Sequence, residues 1–423
     1  MGAQAPIDTG SATGRPPETV LRQAHGTLSE ESISMGNIAP ARLAVAWLTM
    51  FMVGTELFVF SPLLPVLAAG YHVAPASAGL SVTTFSLAYT VSAPLFGYFS
   101  DRVGRRRVLV CSLLAFGLAN ILTAGATNLP SLLTIRLFAG AAAAGVSPSI
   151  YALVGTAAPP ERKATWLALV VSGLLVSLAI GASAGGLVGA FFGGSSVFLA
   201  LAGLSLVLVW LNRWVWPCEH DDTPSDSEIS APAPLGAAVL ARRLIPMVAW
   251  STGLYGVYTY LGAGLATVGF STEQTAAAIL FYGCGAIAGV LVGGRLADRL
   301  GVKLTASASL ACLCACLLLL RLALDAGRLI EPALCMSAAV AQLFFPAQQA
   351  GLANDFPRRR AAVLAWNNSA LFLGISLGSL VGGKAVAVAG FDADLTISAG
   401  IALSGCIVNA ILVPGGVLRS RQR

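Results

Sequence analysis

From Arg42 onward the chain is a succession of apolar stretches separated by short polar breaks. Each stretch runs to about 20 residues, the length an α-helix needs to cross roughly 30 Å of hydrocarbon. The pattern predicts twelve such helices, over 42–69, 76–98, 108–127, 130–156, 164–192, 196–216, 244–268, 274–297, 304–325, 329–353, 360–389 and 394–417. Strict alternation of apolar and polar residues, the mark of a membrane barrel, is missing. The expected fold is therefore all-α and integral to a membrane, with twelve transmembrane helices in two pseudo-symmetric six-helix bundles. The bundles fall at 42–216 and 244–418, joined by a polar cytoplasmic linker over 217–243 that holds Glu219, Asp221, Asp222, Asp226 and Glu228 among prolines. Residues 1–41 are polar and rich in Gly, Pro, Ser and Glu, without the apolar run of a secretory signal, and read as a disordered tail. Residues 419–423 form a short basic tail.

Composition excludes the other classes. Of 423 residues, 56% are hydrophobic and 10% charged, against roughly 25% charged in soluble domains. So few charges cannot cover a water-soluble body of this size. The 46 glycines suit helices that approach closely in lipid. A net charge of +6, widely scattered, points to no nucleic-acid partner.

The basic residues fix an expected orientation. With the N-terminus in the cytoplasm, nearly all Lys and Arg fall on the cytoplasmic side, from Arg102, Arg105, Arg106 and Arg107 to Arg419, Arg421 and Arg423. The opposite side receives only Arg321 and Arg328, while Arg136 and Lys384 fall inside spans. Positive loops stay in the cytoplasm, so both termini are expected there.

The chain also repeats itself at one offset of 197 residues. Asp101-Arg102 with Gly104 returns as Asp298-Arg299 with Gly301, and Pro160-Glu161-Arg162-Lys163 as Pro357-Arg358-Arg359-Arg360. Ser172 maps onto Ser369, and Gly181, Gly185 and Gly186 map onto Gly378, Gly382 and Gly383. Those six glycines are expected to pack helices closely. Two parallel halves related by an axis along the membrane normal produce such a repeat.

Gly97-Tyr-Phe-Ser-Asp101-Arg102-Val-Gly104-Arg105-Arg106-Arg107 resembles the signature between the second and third helices of the major facilitator superfamily. Arg136-Leu-Phe-Ala-Gly140 through Gly145 resembles that family's second motif, and Gly181 to Gly186 its antiporter motif, with Ala182 where proline is usual. That exchange predicts a straighter fifth helix. Gly54-Thr55-Glu56-Leu57-Phe58 with Leu63-Leu64-Pro65, Tyr258-Thr-Tyr260, and Asn368-Ser369 before Gly374 and Gly378 are similar to the bacterial drug and sugar efflux branch. The resemblance implies a monomeric inner-membrane transporter that exports a small molecule in exchange for protons. It implies no cofactor beyond the proton gradient.

Single residues carry the expected chemistry. Glu56 lies about 14 residues into the first helix with no charge within a turn of it. An acid in hydrocarbon either faces a cavity and carries protons or hydrogen-bonds a neighbouring helix. Arg136 can pair with Glu56, reach the carbonyls freed by Pro62 and Pro65, or snorkel outward; Lys384 reads as snorkelling. Under the repeat, Glu56 and Arg136 map onto Gly253 and Ala333, which predicts coupling chemistry in the first half alone and no second deep carboxylate in the cavity. Gly97, Asp101, Arg102, Gly104, Arg105, Arg106, Asp298 and Arg299 form either a latch between the halves or a topology signal. Phe85, Tyr89, Tyr255, Tyr258, Tyr282, Gln342, Asn367 and Asn368 are the substrate-binding candidates, each of which could instead hold helices together. Cys312, Cys314 and Cys316 cannot converge on one metal ion, because Cys314 points away from the other two on a helix. His25, His72 and His220 lie outside the spans, and no phosphate-binding loop or Ser-His-Asp spacing is present.

Overall fold

The computed structural model describes residues 40–159, 162–217, 237–326 and 329–412. The N-terminal and C-terminal tails and most of the linker lie outside the described residues.

The first crossing is built from α1 (Pro40–Phe58) and α2 (Phe60–Gly70), which meet at Val59. Next come α3 (Pro75–Val103) and α4 (Arg105–Ala124), then α5 (Leu129–Ala144) and α6 (Val146–Ala157), which together make the fourth crossing. The fifth is α7 (Lys163–Val176), a π turn over Ser177–Gly181, and α8 (Ala182–Phe192). The sixth is α9 (Gly194–Val215). The second half holds α10 (Ala237–Thr267), α11 (Thr272–Leu300), α12 (Val302–Ala326), α13 (Ile330–Gln342) with α14 (Phe344–Asp355), α15 (Arg360–Ala389) and α16 (Phe391–Leu412).

Ten of these columns are long and apolar enough to cross a bilayer. The second and seventh, α3 and α10, are 29 and 31 residues long, and their Ser, Thr and Tyr lower the mean hydropathy. Twelve crossings result, in agreement with the sequence pattern. Boundaries moved most where polar residues stay helical: α3 continues through Asp101-Arg102 to Val103, and α10 begins at Ala237 rather than 244.

Caps and turns explain the ends. Asn128 accepts from the Ser131 amide at 2.9 Å at the start of α5, and Ser271 accepts from Gln274 at 3.3 Å at the start of α11. Left-handed turns recur at the 197 offset, with φ +98° at Gly104 and +88° at Gly301, +85° at Gly193 and +79° at Gly390, +53° at His72 and +86° at Gly269. The repeat seen in the sequence is thus written into the backbone. Only His72 among these adopts the conformation without being glycine, which Asn, Asp and His tolerate better than most.

Prolines account for the broken crossings, because each removes the donor to the carbonyl four residues before it. Pro62 and Pro65 follow the break at Val59, Pro148 the break at Gly145, and Pro346 the break at Leu343. The fifth crossing has no proline, which predicts a straighter helix, yet it is not regular. Its ladder is interrupted by the π turn that ends at Gly181.

The glycines pack as predicted, with partners at the same offset. A Cβ on Gly181 would strike the Thr55 side chain, and one on Gly378 would strike the Thr252 carbonyl, 197 residues on. Gly185 and Gly186 lie on Val59 and Pro62, whereas Gly382 lies on Asp394 and Gly383 on Tyr260.

Candidate functional site

Glu56 is 0% and Arg136 1% exposed, and the two side chains form an ion pair and hydrogen bond through Arg136 Nη1 and Glu56 Oε1. Of the three expectations for Arg136, pairing with Glu56 is the one observed. Two rings sandwich the guanidinium, Phe60 at 4.2 Å and Phe85 at 4.3 Å from its carbon to the ring centroids. Phe85 therefore serves as a shelf for the arginine. Glu56 Oε2 and Arg136 Nε have no hydrogen-bond partner, so the buried pair is only partly satisfied. A buried charge pair in that condition is costly to keep, and removing either partner alone costs more.

The carbonyls freed by proline face the other half of the molecule. Phe58, four residues before Pro62, accepts from the Tyr258 hydroxyl at 3.0 Å. Ser61, four residues before Pro65, has its carbonyl against the backbone of Gly262, where a side chain would clash. Arg136 was one candidate partner for these carbonyls; the second half supplies one from α10 instead. Tyr258→Phe is expected to orphan the Phe58 carbonyl and weaken the contact between halves by about 1 kcal/mol. Faster amide exchange at residues 58–70 in purified protein would register that loss; unchanged exchange would contradict it.

Around Tyr258 the aromatic candidates converge. Its ring lies 5.2 Å from Tyr282, 6.3 Å from Tyr255 and 5.8 Å from Phe58 of the first half, with Trp250 6.1 Å from Tyr255. Trp250 donates to Ala341 O at 2.8 Å just before the break in the tenth crossing, and Gln342 is buried there against Tyr255. A second group pairs Tyr89 with Phe372, rings stacked at 3.5 Å, while Asn368 Nδ2 donates to the Tyr89 hydroxyl at 3.1 Å. Asn367 is buried with its Oδ1 unpartnered. Phe58, Phe60, Trp250 and Phe372 were missed by the sequence reading, which selected Phe85 with tyrosines and amides at mid-helix positions.

The halves join toward the end that carries His72, Gly193, Gly269 and Gly390. Ser379 donates to Gly79 O at 2.8 Å, Ser376 to Thr83 O at 3.1 Å, and the Tyr260 hydroxyl lies 3.5 Å from Ala76 O. Toward Gly104 the same helix α3 becomes exposed at Val91, Leu95, Tyr98 and Phe99.

The latch candidates lie at that more exposed end. Arg102 stacks on Tyr98 of its own helix at 4.2 Å, and Arg106 donates to the Arg213 carbonyl within the first half. Asp298 and Arg299 are exposed, and no hydrogen bond or ion pair crosses the halves at Gly97, Arg102, Asp298 or Arg299. A Cβ on Gly97 would meet nothing within 4 Å, so the close approach expected there is absent. Arg243 pairs with Asp355 at this end, inside the second half, and the side chain of Asp101 lies outside the described residues.

The second half holds a buried carboxyl that the sequence reading did not single out. Asp394 is 0% exposed, accepts from Ser398 Oγ at 3.3 Å and leaves Oδ2 without a partner. The pattern put Asp394 at the first position of its span, where a charge is ordinary. Because α16 begins at Phe391, its first turn is packed instead against α10 and α15.

The family model of the Major Facilitator Superfamily matches residues 46–336 and 265–421 of this sequence. The chain belongs to that superfamily. An MFS-type transporter of Bacillus subtilis (strain 168), YceJ, is 26% identical over 367 residues, covering 84% of this chain and 94% of its own. The chloramphenicol resistance protein of Streptomyces lividans is 28% identical over 261 residues, 61% of this chain and 66% of that one. Among solved structures, a D-xylose-proton symporter superposes with a TM-score of 0.74 at 17% identity, covering 89% of this chain and 98% of that one. A bacterial homologue of the human lysosomal transporter Spinster gives 0.66 at 14% identity, over 89% and 95%. This facilitator is thus a multi-pass membrane transporter whose two halves meet at an aromatic interface and whose first half holds a buried ion pair.

Proposed function

We propose that the protein exports a small organic molecule from the bacterial cytoplasm in exchange for protons, with Glu56 as proton carrier and Arg136 as its partner. The observation that carries this reading is the fully buried Glu56–Arg136 pair, set one turn from the break at Val59 in the crossing whose Phe58 meets Tyr255 and Tyr258 of the second half. A carboxylate that loses its cation partner on protonation changes the electrostatics of the first crossing at the point where it touches the other half. Proton binding and the rocking of the halves then share one element. The end bearing Gly104 and Gly301 faces the cytoplasm in this reading, as the arginines require. The latch residues Gly97, Asp101, Arg102, Gly104, Arg105, Arg106, Asp298 and Arg299 close that end when the opposite end opens.

The aromatic rings and the amides of Gln342, Asn367 and Asn368 suit a substrate with both planar and polar parts. Chloramphenicol, named for one relative, is a first probe of that kind. In inverted vesicles with an acid lumen, exchange drives labelled chloramphenicol into the lumen as protons leave. The second reading is proton co-transport, favoured by Ala182 in place of the antiporter-motif proline. Co-transport instead empties a preloaded lumen under the same gradient. Depletion there would overturn the exchange reading.

A further inference from the structure

We infer that Asp394 is a second proton-binding site, and that its protonation is what lets the outer end of the transporter close. The reading is independent of which molecule is carried and of whether Glu56 couples its transport.

The site is built where the two halves of the repeat differ. In the first half a Cβ on Gly185 would meet Val59, with Val197 at 3.7 Å, so two valines fill the gap between the first, fifth and sixth crossings. At the 197 offset, Val59 becomes Gly256 and Val197 becomes Asp394. The architecture therefore closes with an apolar pair, and the second half replaces that pair with a carboxyl and the space to hold it. A Cβ on Gly256 would lie 3.1 Å from Ser398 Oγ, 3.2 Å from Gly378 O and 3.5 Å from Asp394 Oδ1; one on Gly382 would lie 2.8 Å from Oδ1 and 3.2 Å from Oδ2. The carboxyl thus lies flat on glycine backbone and shares its pocket with a carbonyl oxygen.

No cation completes the site among the described residues. Tyr260 faces it from α10, and its hydroxyl already donates to Ser379 O at 2.8 Å. Arg321 of α12 donates to Thr396 at 3.0 Å on the exposed side of α16. On α15 the charge nearest in sequence is Lys384, which is exposed, and on α16 itself it is Asp392, half-buried. A neutral carboxyl fits this environment, with Ser398 serving one oxygen and the Oδ2 proton free to seek a backbone acceptor. An anion would lie buried there with no counter-charge among the described residues.

The link to closure is geometric. One face of α15 carries Gly378 and Gly382, against α10 and Asp394; the adjoining face carries Ser376, Ser379 and Gly383, against α3 of the first half. Tyr260 joins them, donating to Ser379 and reaching Ala76 O. Ionising Asp394 pushes on Gly382 and Gly378 and so disturbs the surface that seals the two halves. A proton arriving from outside restores the seal.

The test is amide exchange by the full-length protein in lipid nanodiscs, followed over residues 73–86 and 374–386 from pH 6 to 9 and normalised to intrinsic rates. Wild type is expected to lose about tenfold of its protection at both segments as pH rises. Asp394→Asn, and Asp394→Val, which copies Val197 of the first half, are expected to stay protected throughout. If Asp394→Asn does not fold, Asp394→Val answers the same question with the side chain the sister half already accepts. A pH response unchanged in the Asp394 variants, or absent from wild type, would overturn the assignment.

Discussion

Glu56→Gln is expected to abolish accumulation of substrate against its gradient while leaving counterflow, the exchange of substrate inside for substrate outside, near wild-type rates. The glutamine keeps the size and an acceptor for Arg136 but has no proton to gain or lose. Counterflow needs the halves to rock around bound substrate, which the aromatic interface of Phe58, Tyr255, Tyr258 and Tyr282 still permits. Loss of both activities would mean that Glu56 holds the fold or the substrate, and retention of both would mean that it carries no coupling. Measuring gradient-driven accumulation and counterflow of labelled substrate in the same proteoliposomes distinguishes the three outcomes.

Arg136→Met should have the largest effect on stability. It strands Glu56, 0% exposed, without its counter-charge between Phe60 and Phe85. Breaking one side of a buried pair costs about 3–5 kcal/mol, because the remaining charge is left uncompensated. The double variant Glu56→Gln with Arg136→Met removes both charges and is expected to recover most of that loss, though not transport. Thermal unfolding of the three variants in one detergent measures the coupling directly. A double variant no more stable than Arg136→Met alone would contradict the pairing.

Most of the fold was legible because lipid imposes a simple code. Apolar runs of membrane length marked the crossings, and one offset of 197 marked the repeat that reappears in three pairs of left-handed turns, such as Gly193 with Gly390. Scarcity of charge also singled out Glu56 and Arg136, which the fold brings together from 80 residues apart. The tyrosine partner of Phe58 O was hidden, since a proline tells which carbonyl is freed but not which side chain from a distant helix will reach it. The role of Phe85 was hidden for a similar reason: its place against the Arg136 guanidinium depends on packing, not spacing. Asp394 escaped because hydropathy places a helix start only to within a turn, and one turn separates an exposed cap from a buried acid. Applying the offset to Val197, which maps onto Asp394, would have exposed it from sequence alone.

The most direct test of proton coupling through Glu56 is lumenal pH in proteoliposomes loaded with a transported substrate and diluted into substrate-free buffer. As substrate leaves, exchange draws protons in, so the wild-type lumen should acidify and the Glu56→Gln lumen should hold its pH. Acidification by Glu56→Gln at the wild-type rate, or an alkaline shift in wild type, would contradict the account.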